Sequence, residues 1–270
     1  MVKVARVVVL PLVLVLVIVL SPAANAAPPL PNSMAALGDS ITRGYDACCW
    51  YGEHPSISWS TGGNSFDGVY SHYERIRALN PQVAGHQAND AVSGAKADDL
   101  AGQVTKAVSQ QASYVTILIG ANDLCTSSTS AMTTTSSFAS DVNAALATLH
   151  QQLPNARIFV SSIPNLYRLW SVLHTNSWAR FVWSTAGICQ SLLRSTNTET
   201  QRQQVVEREL SFNAILSQAC SQYANCRWDG NATYNYAFSA SQVSSLDYFH
   251  PNLRGQAELA RLTWAASWWG

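Results

Sequence analysis

The chain has 270 residues, and its 16 basic and 16 acidic side chains leave it formally neutral. Its lysines are Lys3, Lys96 and Lys106, and there is no stripe of cations to neutralise phosphates, which argues against nucleic-acid binding. Residues 27–270 are within the size range of one domain.

At the N-terminus, Lys3 and Arg6 lead into the apolar run Val7–Leu20, and Ala24-Asn25-Ala26 offers small residues for cleavage. This pattern predicts a secretory signal peptide over residues 1–26, with the mature, slightly acidic chain starting near Ala27. The run is about 14 residues where a bilayer span needs roughly 20, so an uncleaved membrane anchor is the weaker alternative. No later apolar stretch is long enough to span a bilayer. Export to the extracellular space is expected. The six cysteines Cys48, Cys49, Cys125, Cys189, Cys220 and Cys226 then suggest up to three disulfides. Cys220 and Cys226 flank a predicted helix-to-strand turn and are the easiest pair. Cys48 and Cys49 either serve different partners or form one bridge. The lack of a Cys-x-x-Cys unit disfavours a redox enzyme or a structural zinc site.

Strand and helix patterns alternate along the mature part. Met34–Leu37 is a short apolar strand ending at Gly38-Asp39-Ser40. Phe66, Val69, Tyr70, Tyr73 and Ile76 recur at helical spacing, and 83–88 suggests a second strand. Leu100, Val104 and Val108 mark a helix, and Tyr114–Ile119 is a strand running into Gly120-Ala121-Asn122-Asp123. The clearest helix carries Phe138, Val142, Ala145, Leu146, Leu149 and Leu153, with Thr and Ser as caps before it and Pro154 as its stop. Arg157–Ile163 is a fourth strand, followed by an aromatic-rich insertion from Leu166 to Leu193. Val206, Leu210, Ala214 and Ile215 predict a further helix face. Cys226–Trp228 is the last strand and 256–268 a terminal helix. Such alternation predicts a mostly parallel sheet with helices on both faces. Ligands of such sheets sit beyond the C-terminal strand ends. Ser40, Asn122 and His250 would follow the first, third and last strands and meet on one edge.

Three motifs carry chemistry in a fixed order: Gly38-Asp39-Ser40, Gly120-Ala121-Asn122-Asp123 and Asp247-Tyr248-Phe249-His250. A serine hydroxyl attacks a carbonyl only when a base takes its proton. His250 supplies that base, and Asp247 fixes its tautomer through the other ring nitrogen. The oxyanion that follows needs preorganised donors: the N–H groups of Ser40 and Gly94 and the side-chain amide of Asn122. Any one motif alone reads as a turn. The five histidines His54, His72, His86, His150 and His174 lack a carboxylate at suitable spacing in a strand-end loop and read as structural. Asp39 reads as a turn residue, and Asp123 as orienting the Asn122 loop or merely solvated.

Together with the isolated glycine of Val92-Ser93-Gly94, these motifs resemble the four sequence blocks of the SGNH (GDSL) hydrolases, spanning Gly38 to His250. The resemblance implies a flavodoxin-like three-layer α/β/α sandwich that works without metal or cofactor. It makes Ser40 the nucleophile, places Gly94 and Asn122 in the oxyanion hole, and completes a triad with Asp247 and His250. The first block ends in Ile41 where the family name has leucine, which leaves the chemistry untouched. Gly85 and Gly102 lie near enough to compete with Gly94 for its role. Ser58-Trp59-Ser60-Thr61-Gly62-Gly63 is similar to a segment of the phospholipase B-like branch.

Competing motifs fail. Ser93-Gly94-Ala95-Lys96 matches a Ser-x-x-Lys pattern, but its companion Ser-Asp-Asn and Lys-Thr-Gly motifs are missing; the Gly-x-Ser-x-Gly elbow is also missing. His-Glu-x-x-His and the phosphate-binding loop are absent too. Asn231-Ala232-Thr233 is a glycosylation sequon. Trp50, Tyr51 and Trp59, with the aromatic residues of the insertion, read either as packing or as an acyl groove and lipid-facing surface; packing is favoured for the insertion as a whole. The expectation is a secreted, monomeric serine esterase of lipid esters, phospholipid or lysophospholipid first and acylglycerol second. It would act as a small-molecule or lipid ester hydrolase with at most transient contact with a lipid surface. A carbohydrate O-acetyl esterase is the alternative enzyme, and an inactive binding protein on the same fold the alternative class.

Overall fold

A computed structural model describes residues 1–5, 27–64 and 66–270. The apolar run and cleavage positions of the expected signal peptide lie outside the described residues. Five strands, β1 (Met34–Gly38), β2 (Gln87–Asn89), β3 (Tyr114–Leu118), β4 (Arg157–Val160) and β5 (Cys226–Trp228), form one parallel sheet in the order β2-β1-β3-β4-β5. Helices α1 (His72–Leu79), α2 (Leu100–Ser109), α3 (Ala121–Leu124), α4 (Thr135–Gln152) and α5 (Leu166–Leu173) precede α6 (Ser177–Thr185), α7 (Gln190–Leu193), α8 (Glu199–Ser221), α9 (Ala232–Asn235) and α10 (Leu253–Ala266).

Strand side chains alternate between faces, so each strand feeds two cores. Ala35, Leu37, Val115, Ile117, Ile158 and Val160 join the larger core with Leu100 of α2, Phe138 of α4 and Phe212 of α8. Met34, Tyr114 and Phe159 point the other way, towards Tyr73 and Ile76 of α1 and Trp264 of α10. This is the expected α/β/α sandwich. With both faces covered, β1 and β3 are buried along their whole length, which is why they read as near-continuous apolar runs. The order reverses at β1: β2 lies to one side, and β3, β4 and β5 to the other. A crevice at the C-terminal ends of β1 and β3 follows from that reversal.

Four elements depart from the sequence reading. The stripe from Phe66 to Ile76 is helical only from His72; Phe66 is exposed, while Val69, Tyr73 and Ile76 are buried. Asp67 Oδ1 accepts from Val69 N–H and Gly68 takes φ +81°, so the chain turns before Ser71 caps α1 with Glu74 in a capping box. The second strand starts later than expected, because Pro81–Val83 forms a 3-10 turn. β4 ends at Val160; Ser161 N–H still donates to Ile117 O, but the side chain bonds to Thr233 Oγ1 and that of Ser162 to Asp229. The inward face of α8 is Val205, Glu209, Phe212, Asn213 and Leu216, and Leu210 is exposed. Apolar periodicity missed it because two polar side chains lie on that face. Asn213 Oδ1 accepts from Ile163 N–H (2.9 Å) and Glu209 Oε1 from Leu166 N–H (3.1 Å), satisfying the backbone where Pro164 interrupts it. Burial pushes the Glu209 carboxyl well above the carboxylate range.

Cys220–Cys226 is bridged as expected, Cys48 and Cys49 pair with each other, and Cys125 pairs with Cys189.

His72 is fully buried between the sheet and α10. Its Nδ1 lies 2.8 Å from Tyr114 Oη and its Nε2 2.8 Å from Thr263 Oγ1. The Thr263 hydroxyl already donates to Leu259 O, so it accepts from Nε2–H and Tyr114 donates to Nδ1. A second ring proton has no acceptor, and burial pushes the pKa down to about 3 from the usual 6.5. The unfolded chain then takes up a proton that the folded one refuses, so this residue's contribution is lost as pH falls below 6.5. Relative to a His72→Gln variant, stability should drop by about 1.4 kcal/mol per pH unit in that window. Urea unfolding of both proteins at pH 7 and pH 5 measures it, and parallel pH dependences would contradict it.

Candidate active site

Ser40 opens the turn that leaves β1. Gly38 takes φ +144° there, and a Cβ would stand 2.2 Å from Leu118 O, so only glycine lets β1 pass so close to β3. Gln103 of α2 brackets this glycine: its Oε1 accepts from Gly38 N–H (2.7 Å) and its Nε2 donates to Gly38 O (2.9 Å). Asp39 is buried, with Oδ1 accepting from Ile41 N–H at 2.9 Å. Burial raises its pKa to about 7. It shapes the turn, as expected from sequence.

Asn122 sits in α3, just beyond β3, after Gly120 at φ +117°. Its Nδ2 donates to Ala95 O at 3.0 Å, which joins it to the loop carrying Gly94. Gly94 itself has φ +85° and lines the same cavity as Ser40, whereas Gly102 lies within α2 and Gly85 in the turn before β2. Neighbouring bonds fix the Gly94 loop. Ser93 Oγ donates to Glu53 Oε1 (2.7 Å), and Glu53 is held by Arg43. Asp123 Oδ2 accepts from Ala97 N–H at 3.0 Å, so Asp123 does orient this region; burial raises its pKa to about 6.

Asp247 and His250 reach the sheet edge from the loop entering α10, not from the end of β5. Asp247 Oδ1 accepts from the N–H groups of Phe249 (2.8 Å) and His250 (3.1 Å), while its Oδ2 makes a short contact with His250 Nδ1. On the far side of the ring, His250 Nε2 lies 2.7 Å from Ser40 Oγ. Burial works to raise the Asp247 carboxyl. The hydrogen bond and charge of His250, with the two backbone donors, outweigh it and leave the group below its ordinary range. An Asp247 anion on Nδ1–H leaves Nε2 free to accept the serine proton. The rings of Tyr45 and Phe249 flank the imidazole, each at 5.0 Å.

The five residues singled out from sequence, Ser40, Gly94, Asn122, Asp247 and His250, all line one open cavity of about 500 Å³. Tyr51, read from sequence as a groove or packing residue, lines the cavity too; sequence reasoning missed Tyr45, Asp46, Ala186, Gly187 and Ile188 of its wall. No motif marks Asp46 or the two tyrosines. The segment 186–189 is brought in by the Cys125–Cys189 bridge; the even cysteine count signalled bridging without naming the pair.

Comparison with known proteins agrees with this fold. A profile of the "GDSL-like Lipase/Acylhydrolase family" matches residues 36–258. The chain is 26% identical over 211 residues to "Phospholipase B1, membrane-associated" of Rattus norvegicus, covering 66% of this chain and 15% of that protein. With the Mus musculus protein of the same name the identity is 28% over 213 residues, covering 66% and 14%. The chain therefore corresponds to a small part of these relatives' length. Among solved structures, a protein described as a GDSL-like lipase from Parabacteroides merdae superposes with a TM-score of 0.53 at 17% identity, covering 89% of this chain and 98% of that one. Phospholipase A1 from Streptomyces albidoflavus gives 0.51 at 16%, covering 87% and 99%. At such identities the structural likeness establishes the fold.

The Cys125–Cys189 bridge closes a loop of 64 residues in sequence separation and ties α7 to the end of α3. Replacing both cysteines by serine should lower stability by about 4 kcal/mol. It should also expose the segment 174–189 to proteases. Denaturant unfolding and limited proteolysis with mass mapping check this; unchanged cleavage would show that packing alone holds the segment.

Proposed function

The chain belongs to the GDSL-like lipase/acylhydrolase family and by that membership is a carboxylic ester hydrolase, and from this premise we propose a secreted serine esterase that cleaves lipid esters through an acyl-enzyme on Ser40. The observation that carries the mechanism is the 2.7 Å approach of Ser40 Oγ to His250 Nε2, with Asp247 on the opposite ring nitrogen. In this reading Ser40 Oγ attacks the ester carbonyl as His250 takes its proton, and Asp247 steadies the imidazolium. The oxyanion is received by the N–H groups of Ser40 and Gly94 and by the Asn122 amide, whose bond to Ala95 O uses one of its two hydrogens. His250 returns its proton to the departing alcohol. Water then repeats the attack on the acyl-enzyme. The cycle calls on no metal or cofactor, and one chain supplies every group, so a monomer suffices for it.

Two features favour lipid esters. Beside the main cavity lies an apolar crevice walled by Ile41, Leu166, Leu169, Val172, Phe238 and Phe249. Phe249 lines both spaces, and the crevice, of about 50 Å³, offers apolar surface to the first carbons of an acyl chain leaving the reacting carbon. Trp50 and Tyr51 beside the cavity, and Trp178 and Phe181 on α6, are exposed. Aromatic rings in such positions suit contact with a lipid surface. Similarity to phospholipase B1 puts phospholipid or lysophospholipid before acylglycerol. Three disulfides support export after cleavage near Ala26, leaving residues 27–270 as one hydrolase domain.

Ser40→Ala should abolish hydrolysis and fluorophosphonate labelling. Asn122→Ala should lower kcat about 10²–10³-fold with little change in KM, and steady-state kinetics that left kcat intact would remove Asn122 from the oxyanion site. Phosphatidylcholine, its lyso form, a triacylglycerol and an acetylated xylan, offered side by side, should release fatty acid and no acetate. Acetate alone would replace the lipid reading with carbohydrate deacetylation.

A further inference from the structure

One carboxyl at the site has no part in the reaction described above. Asp46 is 1% exposed and sits in the turn after β1 at φ +52°. Its Oδ1 accepts from Gly52 N–H at 2.7 Å, its own N–H donates to Gly52 O at 2.8 Å, and its carbonyl accepts from Ser244 Oγ at 2.6 Å. The remaining oxygen, Oδ2, is buried without a hydrogen-bond partner among the described residues. A carboxyl oxygen of Asp46 lies within 4.8 Å of both an Asp247 oxygen and a His250 nitrogen. A positive φ in a non-glycine residue and a buried oxygen without a partner both carry a cost. Here they fix a second acid beside the Asp247–His250 pair.

We propose that Asp46 is a positioning residue for His250, a second buried acid whose protonation is shared with the Asp247–His250 pair and which sets the pH at which the imidazole becomes available as base. The inference rests on the reading of Ser40, Asp247 and His250 given above. Two carboxylates this close in a buried site do not ionise independently. Burial, and then Asp247, raise Asp46 despite the Gly52 donor, while Asp247 is held low. Asp247 is thus the anion that holds the imidazole, and Asp46 is the acid that keeps its proton longer. Once Asp46 ionises, a second negative charge faces His250 and favours its protonated form. The other ionisable groups here are Tyr45 and Tyr51, both raised by burial and by Asp46 itself and therefore neutral, and Asp39, raised by burial to about 7. The charge of Asp39 also acts on His250 and is the same in wild type and an Asp46 variant. Arg43, on the same turn, is engaged by Glu53.

Asp46→Asn keeps an acceptor for Gly52 N–H and the side-chain volume but cannot become an anion. The acid limb of its kcat/KM profile on a soluble short-chain ester should move about one unit to lower pH, the size of effect one charge has at such a distance. Tyr51→Phe breaks a bond between the same two loops, Tyr51 Oη to Leu246 O, without removing a carboxyl; the phenol it removes is neutral in the wild type. Its limb should stay at the wild-type position even if kcat falls. Coincident limbs for Asp46→Asn and wild type would overturn the inference. If Asp46→Asn does not fold, carbon-13 NMR of the wild-type protein decides instead. The Asp46 carboxyl signal should show a second inflection where the His250 ring titrates, and a single independent inflection would overturn the inference. Fluorophosphonate labelling of wild-type Ser40 separates the two readings: no label sinks the triad, whereas a label with coincident limbs sinks only the role of Asp46.

Discussion

The site depends on a set of hydrogen bonds that tie the turn after β1 to the loop entering α10. Leu253 N–H donates to Ala47 O (3.0 Å), Ser244 Oγ to Asp46 O (2.6 Å), and Gln256 Nε2 to Ile41 O (2.8 Å). Gln256 Oε1 also accepts from Trp59 N–H at 2.9 Å. These bonds join segments about two hundred residues apart, and the Ser40–His250 contact lies among them. A hydrogen bond between two side chains weakens steeply with small displacements. Its geometry therefore has to be held by the backbone on both sides, and each side here is anchored by several bonds to the other.

The sheet supplies the second half of this arrangement. Because the strand order reverses at β1, the segments after β1 and β3 diverge and leave room between them. Ser40 stands on one side of that gap and Asn122 on the other, with the Gly94 loop joined to both through Gly38 O and the Asn122 amide. The cost is a concentration of buried polar groups, among them Asp39, Gln103 and Asp123. Each has a backbone partner, which offsets part of the desolvation.

The aromatic insertion resolves the two readings that its composition allowed. Leu166, Leu173, Ala179 and Trp183 are buried, and Trp183 Nε1 donates to Tyr248 O at 3.0 Å, so part of the insertion packs against the loop that carries Asp247 and His250. Trp178 and Phe181 form an exposed edge-to-face pair on α6. Packing and surface display thus fall to different faces of one helix. A run of aromatic residues cannot reveal this division, because both faces use the same residue types.

The sequence by itself determined the alternation of strand and helix, the parallel sheet and the identity of five of the residues that line the cavity, because apolar period and short motifs are local properties of a chain. It also carried the helix caps and stops around α4. It misjudged the start of α1 and the inward face of α8, where Asn213 and Glu209 satisfy the backbone next to Pro164. Only the tertiary structure decided that His250 arrives from the α10 entrance, that Cys125 meets Cys189, and that Asp46 stands beside Asp247. Those facts depend on contacts between residues far apart in sequence, or on which way a turn points a side chain, and neither leaves a periodic trace in the chain.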